Sequence, residues 1–316
     1  MKEQRLCWGI SLRMVKYLCL LVVFILTSAN VYSGTLDERL RIAEEYFYAG
    51  RFHEARAIVE DAIRLYPENA QLHLTLGNIH FRLNDAHLAL EYSSRAIELD
   101  GSFSAAFAYR AFIYGVLGAY DKALGYINMA IHLEPGNFIF YNNRASIHEN
   151  MGNSWMALGD FTRAIEINPF HFENFHERGL TFANLGLFES ALLDFDETVN
   201  LNNEFVWGFI SRGTTLFVLR RYAEALEDFN TAIRLDNAHY GAHFSRGFLN
   251  FNLGKFYEAV LDFTEVIRIN PGHRYAHLNR AHSYRQLANL TDNRTQALDY
   301  LKRAQEDERA AALLGN

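Results

Sequence analysis

Between Phe138 and His171 the apolar and small positions run at helical spacing twice over. The first run ends near Gly152 and is long enough for about three and a half helical turns. Glycine stops a helix there at little cost, because the left-handed conformation brings no Cβ clash. The second run carries Ala157, Phe161, Ala164 and Ile165, spaced i, i+4, i+7 and i+8, which is one face of a second helix. Asn168-Pro169 closes it, since proline disfavours helix at the residue before it. The segment therefore predicts an antiparallel helix pair. Ala145, Ala157 and Ala164 are the small side chains that let two such backbones approach closely.

The pattern returns 34 residues later without a gap. Arg144-Ala145, Gly152, Ala157, Phe161, Ala164 and Pro169 become Arg178-Gly179, Gly186, Ala191, Phe195, Thr198 and Asn203. The next step gives Arg212-Gly213, Ala225, Phe229 and Ala232, and the one after gives Arg246-Gly247, Gly254, Ala259, Phe263 and Pro271. A fixed period of this length is one supersecondary unit copied many times. With Leu36 as place one, units begin at 36, 70, 104, 138, 172, 206 and 240, and an eighth begins at 274. In that last unit Ala281 and Ala288 are in phase, while Ala297 and Ala304 are expected at places twenty and twenty-seven after a four-residue displacement. The array so defined covers 34–309, with 310–316 as a C-terminal tail. Length alone suggests two globular domains. The repeat overrides that, because a solenoid grows linearly and each unit touches only its neighbours.

The units resemble tetratricopeptide repeats. Ala-x-x-x-Phe recurs as Ala157/Phe161, Ala191/Phe195, Ala225/Phe229 and Ala259/Phe263, and the resemblance covers roughly Leu36 to Glu308. It implies an all-α fold, an α-solenoid of about eight helix pairs forming a right-handed superhelix. Some places depart from the family pattern. Its Trp at place four is replaced by Phe107, Tyr141, Phe175 and Phe209, and by His73, His243 and His277. Ala43 stands for Gly at place eight and Gly101 for Pro at place thirty-two. None of these breaks a helix pair.

The resemblance also implies a concave groove lined by the first helices, with places two, five, nine, twelve and thirteen pointing inward. In unit four these are Ile139, Asn142, Ser146, Glu149 and Asn150, and in unit five Glu173, His176, Leu180, Ala183 and Asn184. Unit six has Trp207, Ile210, Thr214, Phe217 and Val218, and unit seven Gly241, Phe244, Phe248, Phe251 and Asn252. The middle is polar and the C-terminal third aromatic, and such rings on a concave surface are typical partner anchors. Phe244, Phe248 and Phe251 share one helix face, expected to lie away from the unit's own second helix, which meets His243 and Gly247.

Units four to seven carry a second departure. Arg at place seven and Asp at place twenty-three recur as Arg144/Asp160, Arg178/Asp194, Arg212/Asp228 and Arg246/Asp262, where the family usually has apolar residues. Replacing two apolar positions jointly by opposite charges points to structural ion pairs between packed helices. Each Asp could reach the Arg of its own unit or of the next. Arg110 and Arg280 hold place seven without an Asp of their own at place twenty-three. A catalytic site is rarely copied four times, so these charges read as structure.

Composition adds the compartment. Lys2, Arg5, Arg13 and Lys16 precede the apolar run Tyr17–Leu26 and the small, polar Thr27-Ser28-Ala29-Asn30, the layout of a secretory signal over 1–33. The run is shorter than the roughly 20 residues a membrane span needs. An uncleaved anchor is the alternative, as is a start at Met14. Both cysteines, Cys7 and Cys19, lie in this leader, so the array carries no thiol into an oxidising compartment. Residues 1–29 hold four basic and one acidic residue, which leaves 26 Lys+Arg against 36 Asp+Glu and a formal charge of −10. A net acidic surface without basic blocks argues against nucleic acid as a partner.

No Cys/His cluster, His-Glu-x-x-His, nucleophile elbow or phosphate-cradling glycine loop is present, so no metal, cofactor or enzymatic activity is expected. Asn289 and Asn293 open two Asn-x-Thr sequons. The sequence thus reads as an interaction scaffold of a translocated compartment, periplasmic or secreted, with a protein or peptide partner. A membrane enters only through the N-terminal segment if it is uncleaved. The alternative is a structural subunit of an envelope complex that uses its edges or convex face.

Overall fold

The computed structural model describes residues 35–314, so the leader of 1–33 lies outside the described residues. Sixteen helices follow one another in eight pairs among them. The pairs are α1 (Thr35–Tyr48) with α2 (Phe52–Leu65), α3 (Ala70–Arg82) with α4 (Ala86–Leu99), α5 (Ser104–Val116) with α6 (Tyr120–Leu133), and α7 (Phe138–Asn150) with α8 (Ser154–Ile167). Then come α9 (Phe172–Asn184) with α10 (Phe188–Leu201), α11 (Val206–Val218) with α12 (Tyr222–Leu235), α13 (Tyr240–Asn252) with α14 (Phe256–Ile269), and α15 (Arg274–Leu290) with α16 (Arg294–Leu313). The chain divides into two compact bodies of four pairs each, one ending at Pro169 and the other beginning at Phe170.

Within each body a first helix packs chiefly on its own second helix and then on the second helix before it. Successive first helices also touch, as α9 with α11 and α11 with α13, and so form one continuous face. The core of a pair is small residues around one ring. Ala191 and Phe195 on α10, and Ala225 and Phe229 on α12, are almost fully buried. A Cβ on Gly213 would stand 2.8 Å from the Phe229 ring, which is why this unit has glycine at place eight. Gly50, Gly118, Gly152, Gly186 and Gly254 end their first helices in the left-handed region, and Asn84 and Arg220 take the same conformation at the same place.

The Arg/Asp pairs join the two helices of one unit. Arg212 donates Nε and Nη2 to Asp228 at 2.8 and 2.7 Å, and Arg144, Arg178 and Arg246 do the same to Asp160, Asp194 and Asp262. The remaining Nη1 reaches back sixteen residues to the second helix of the preceding unit. Arg144 meets Asn128 at 2.8 Å, Arg212 meets Asp196 at 3.0 Å and Arg246 meets Asn230 at 2.7 Å. One guanidinium therefore ties three helices. Arg110, whose unit has Tyr126 at place twenty-three, donates to Ser94 and lies 4.7 Å from the Tyr126 ring.

Unit eight corrects the reading of its register. Arg280 does have a carboxylate of its own: Asp307, at 2.8 and 2.7 Å. Asp307 is buried between Ala304 and Ala311, which are also buried, whereas Ala297 is only half-buried. The second helix is thus displaced by eleven residues rather than four, with Ala304 and Ala311 at places twenty and twenty-seven. Residues 310–313, assigned to a tail, belong to the packed helix α16.

The five carboxylates are at most 6% exposed. Burial pushes the Asp194 and Asp228 carboxyls above the ordinary aspartate range, and the hydrogen bond and charge of their arginines offset only part of that. The pair therefore holds geometry more than it adds net stability. Asp228→Ala, which strands a guanidinium, should cost about 3–5 kcal/mol in denaturant melts. Arg212→Leu with Asp228→Tyr, the apolar pair that Leu76 and Tyr92 form in sequence at these places of unit two, should stay close to wild type. Melts that show no loss for either Asp194→Ala or Asp228→Ala would remove the charges from the account of the fold.

Candidate functional site

The face built by the first helices is the place to look for a site. In the first body α7 offers little of it. Ile139 and Asn142 are buried, Glu149 is half-buried, and exposed Asn150 spends its amide on the Ser146 carbonyl at 2.9 Å. Asn142 was expected to meet a partner, but packing takes it into the interior.

In the second body His176 and Ile210 are likewise buried. The His176 ring packs edge-on against Phe205, and its Nε2 lies 3.1 Å from Ser211 Oγ. The aromatic places divide. Trp207 and Phe248 are 52% and 41% exposed. Phe244 instead leans on Phe263 and His273, and Phe251 on Phe256. Phe263 and Phe256 belong to α14, so the face thought to avoid the second helix in fact contacts it. Phe217 supports Phe248 from the neighbouring first helix, ring centres 5.7 Å apart.

Sequence reasoning missed two histidines at place thirty-four, between the units. His239 and His273 cap α13 and α15: each accepts a backbone N–H at Nδ1, from Ala242 at 3.3 Å and from Ala276 at 3.1 Å. The His239 ring stands 4.6 Å from Trp207, and the His273 ring 5.6 Å from Tyr240. The signal was present, since His171, Phe205, His239 and His273 recur at the period.

The histidines at place four have a separate role. His73, His243 and His277 direct Nε2 to the carbonyls of Pro67, Asn237 and Pro271 at 2.8, 3.1 and 3.2 Å, and Tyr141 donates to Pro135 O at 3.2 Å. Each is a link back to the preceding unit. Among the described residues no three His, Cys, Asp or Glu side chains gather as a metal site. Clefts on the second-helix side lie over the ion pairs: one of about 310 Å³ beside Arg144 and Asp160, another of about 680 Å³ beside Arg280 and Asp307.

The sequence matches the tetratricopeptide repeat description over residues 40–103 and 210–273, and again over 139–171. The chain belongs to the tetratricopeptide repeat family. No curated protein matches it in sequence. Among solved structures it is similar to yeast Tom70, at 20% identity over 89% of this chain and 66% of that one, with a TM-score of 0.59. A tetratricopeptide repeat protein from Parabacteroides merdae gives 20% identity, 75% and 99% coverage and a TM-score of 0.54. The Cut9–Hcn1 structure of the APC/C gives 18%, 91% and 52%, and 0.59. At these identities the likeness is one of fold.

The cap histidines give the second body one contribution to stability that acid removes, opposite in sign to that of Asp194 and Asp228. Burial holds the His239 and His273 imidazoles below the ordinary histidine range, with neighbouring His243 and His277 adding to the effect and Asp236 opposing it at His239. A group whose folded value is depressed takes up its proton more readily when unfolded. Its stability is full above about pH 6.5 and is lost as the pH falls through the folded values. The melting temperature should therefore drop between about pH 7 and pH 5. The double variant His239→Asn, His273→Asn, which keeps a good cap but cannot titrate, should drop less steeply. Equal slopes would show that these imidazoles do not carry the effect.

Proposed function

We propose that this scaffold works outside the cytoplasm, or held to a membrane by its N-terminal segment, and that the first helices of its second body bind a peptide or helix of a partner protein. The observation that carries the binding surface is the exposure of Trp207 on α11 and Phe248 on α13, two large rings on one face. Exposed apolar patches of this kind on a soluble fold mark interaction sites, and aromatic anchors carry a large share of binding energy. The compartment rests on the leader, Lys2 to Asn30, and on an array free of cysteine.

A second reading has its own observation. Trp155 and Met156 on α8 of the first body are more exposed than Trp207, and they lie on a second helix. That side suits a structural subunit tethering other proteins.

Crosslinking in the native cell followed by pull-down supplies the partner, which is then titrated against folded Trp207→Ala and Phe248→Ala. The expected loss is roughly thirtyfold in affinity for each. Unchanged affinity in both, with a loss in Trp155→Ala, transfers the site to the second helices. N-terminal sequencing of the mature protein should find cleavage after Ala29 or Ser33. An intact chain from Met14 or earlier means an anchor instead.

A further inference from the structure

The second helix of unit four carries a hollow that most other units fill. Place twenty-two is Glu91, Leu193, Glu227 and Leu261 in units two, five, six and seven, but Gly125 and Gly159 in units three and four. Glycine inside a helix destabilises it relative to alanine. Packing does not demand it here, because nothing else in the fold comes within 4 Å of where a Gly159 Cβ would stand. The space is part of the cleft of about 310 Å³ in the first body, with Leu124 of α6 and Met156 of α8 as its apolar sides.

The polar end of the cleft is left with one gap. Arg144 gives Nε and Nη2 to Asp160 at 2.9 and 2.6 Å and Nη1 to Asn128 at 2.8 Å, so each of its nitrogens is engaged. His148 has a side chain only 12% exposed, yet neither ring nitrogen makes a hydrogen bond among the described residues. Its Nε2 stands 3.9 Å from Asp160 Oδ2, too far for a direct bond. One oxygen spans that separation at ordinary hydrogen-bond distance from both atoms. In unit seven the side chain at the same place eleven closes the gap itself, since Asn250 Nδ2 donates to Asp262 Oδ2 at 3.2 Å. Burial holds the His148 imidazole below the ordinary histidine range; Asp160 opposes the effect and Arg144 adds to it. The ring is therefore neutral at neutral pH.

We infer that this cleft takes the phenol of a tyrosine side chain from a partner protein. It is a site apart from the first-helix surface proposed above, on other helices and in the other body. A hydroxyl accepts from His148 Nε2–H and donates to Asp160 Oδ2, so one atom answers both groups. An anion would meet the Asp160 carboxylate and a cation the Arg144 guanidinium, each mostly buried. Water makes the same two bonds but leaves Leu124 and Met156 uncovered. A flat ring covers them: it lies over Gly159, where no side chain intervenes, and the Met156 thioether makes a favourable sulfur–aromatic contact. Serine and threonine carry a hydroxyl but no ring, and phenylalanine leaves His148 and Asp160 unbridged.

The test titrates the full protein with N-acetyl-tyrosinamide and with N-acetyl-phenylalaninamide while NMR follows the Met156 methyl group. The tyrosine amide should move that methyl saturably and bind about fivefold more tightly than the phenylalanine amide. Gly159→Leu introduces the residue that units five and seven carry at this place, so the fold should hold while affinity falls about tenfold or more. His148→Leu, with the residue of place eleven in unit six, should bring the two amides within about twofold of each other. Trp207→Ala should change neither titration, which separates this site from the first-helix surface. A methyl that does not move up to the solubility limit, or moves equally in Gly159→Leu, leaves the cleft to water and overturns the inference. Equal binding of the two amides by the wild type overturns the hydroxyl bridge. A shift lost in Trp207→Ala belongs to the first-helix surface and overturns the inference as well.

Discussion

One guanidinium shared by three helices sets the geometry of this array. At place seven an arginine holds the aspartate of its own second helix with two hydrogen bonds and gives its third nitrogen to the second helix before it. Within a unit the fork fixes how α11 meets α12. Between units it adds a polar tie from that pair to α10, beside the apolar packing of Val199 with Phe209 and Ile210. The place-four side chain adds a second tie to the preceding unit, as His243 does to the Asn237 carbonyl. Bidentate geometry suits arginine and not lysine, which explains why the place is Arg wherever an aspartate faces it, in units four to eight.

The device is assembled stepwise along the chain. Places seven and twenty-three hold Ile42 and Ile58 in the first unit, Leu76 and Tyr92 in the second, and Arg110 and Tyr126 in the third, before the Arg/Asp pairs begin. Arg110 shows the intermediate form, with its cation on the Tyr126 ring and its Nη1 already on Ser94. Charge here substitutes for apolar contact at one position without changing the fold. On the first helices of the second body, Trp207, Tyr240 and Phe248 stay partly in solvent.

Much of this was legible in the sequence, for reasons tied to period. Helix pairing follows from Gly152, Phe161 and Pro169 recurring at a fixed step, and so does the alignment of Arg with Asp. The partner choice was not legible, because Asp160 is sixteen residues from Arg144 and eighteen from Arg178, and only helix packing decides between them. The backward link escaped because Ser94, Asn128, Asp196, Asn230 and Thr264 share polarity but not identity. In unit eight, alanines at 297, 304 and 311 allow two registers, and burial selects the later one. Inward-pointing places include Trp207 and Phe248, which stay partly exposed. They also named Asn142, His176 and Ile210, which close packing of neighbouring first helices buries, and they passed over His239 and His273, which lie between units.

If the shared arginine is what makes neighbouring units one mechanical block, its effect must cross the unit boundary. Native-state hydrogen exchange on Arg212→Leu measures this directly, because it reads each helix separately. The account predicts that protection falls in α10 together with α11 and α12, while α15 and α16 keep theirs. Loss confined to α11 and α12, with α10 as protected as in the wild type, would contradict it.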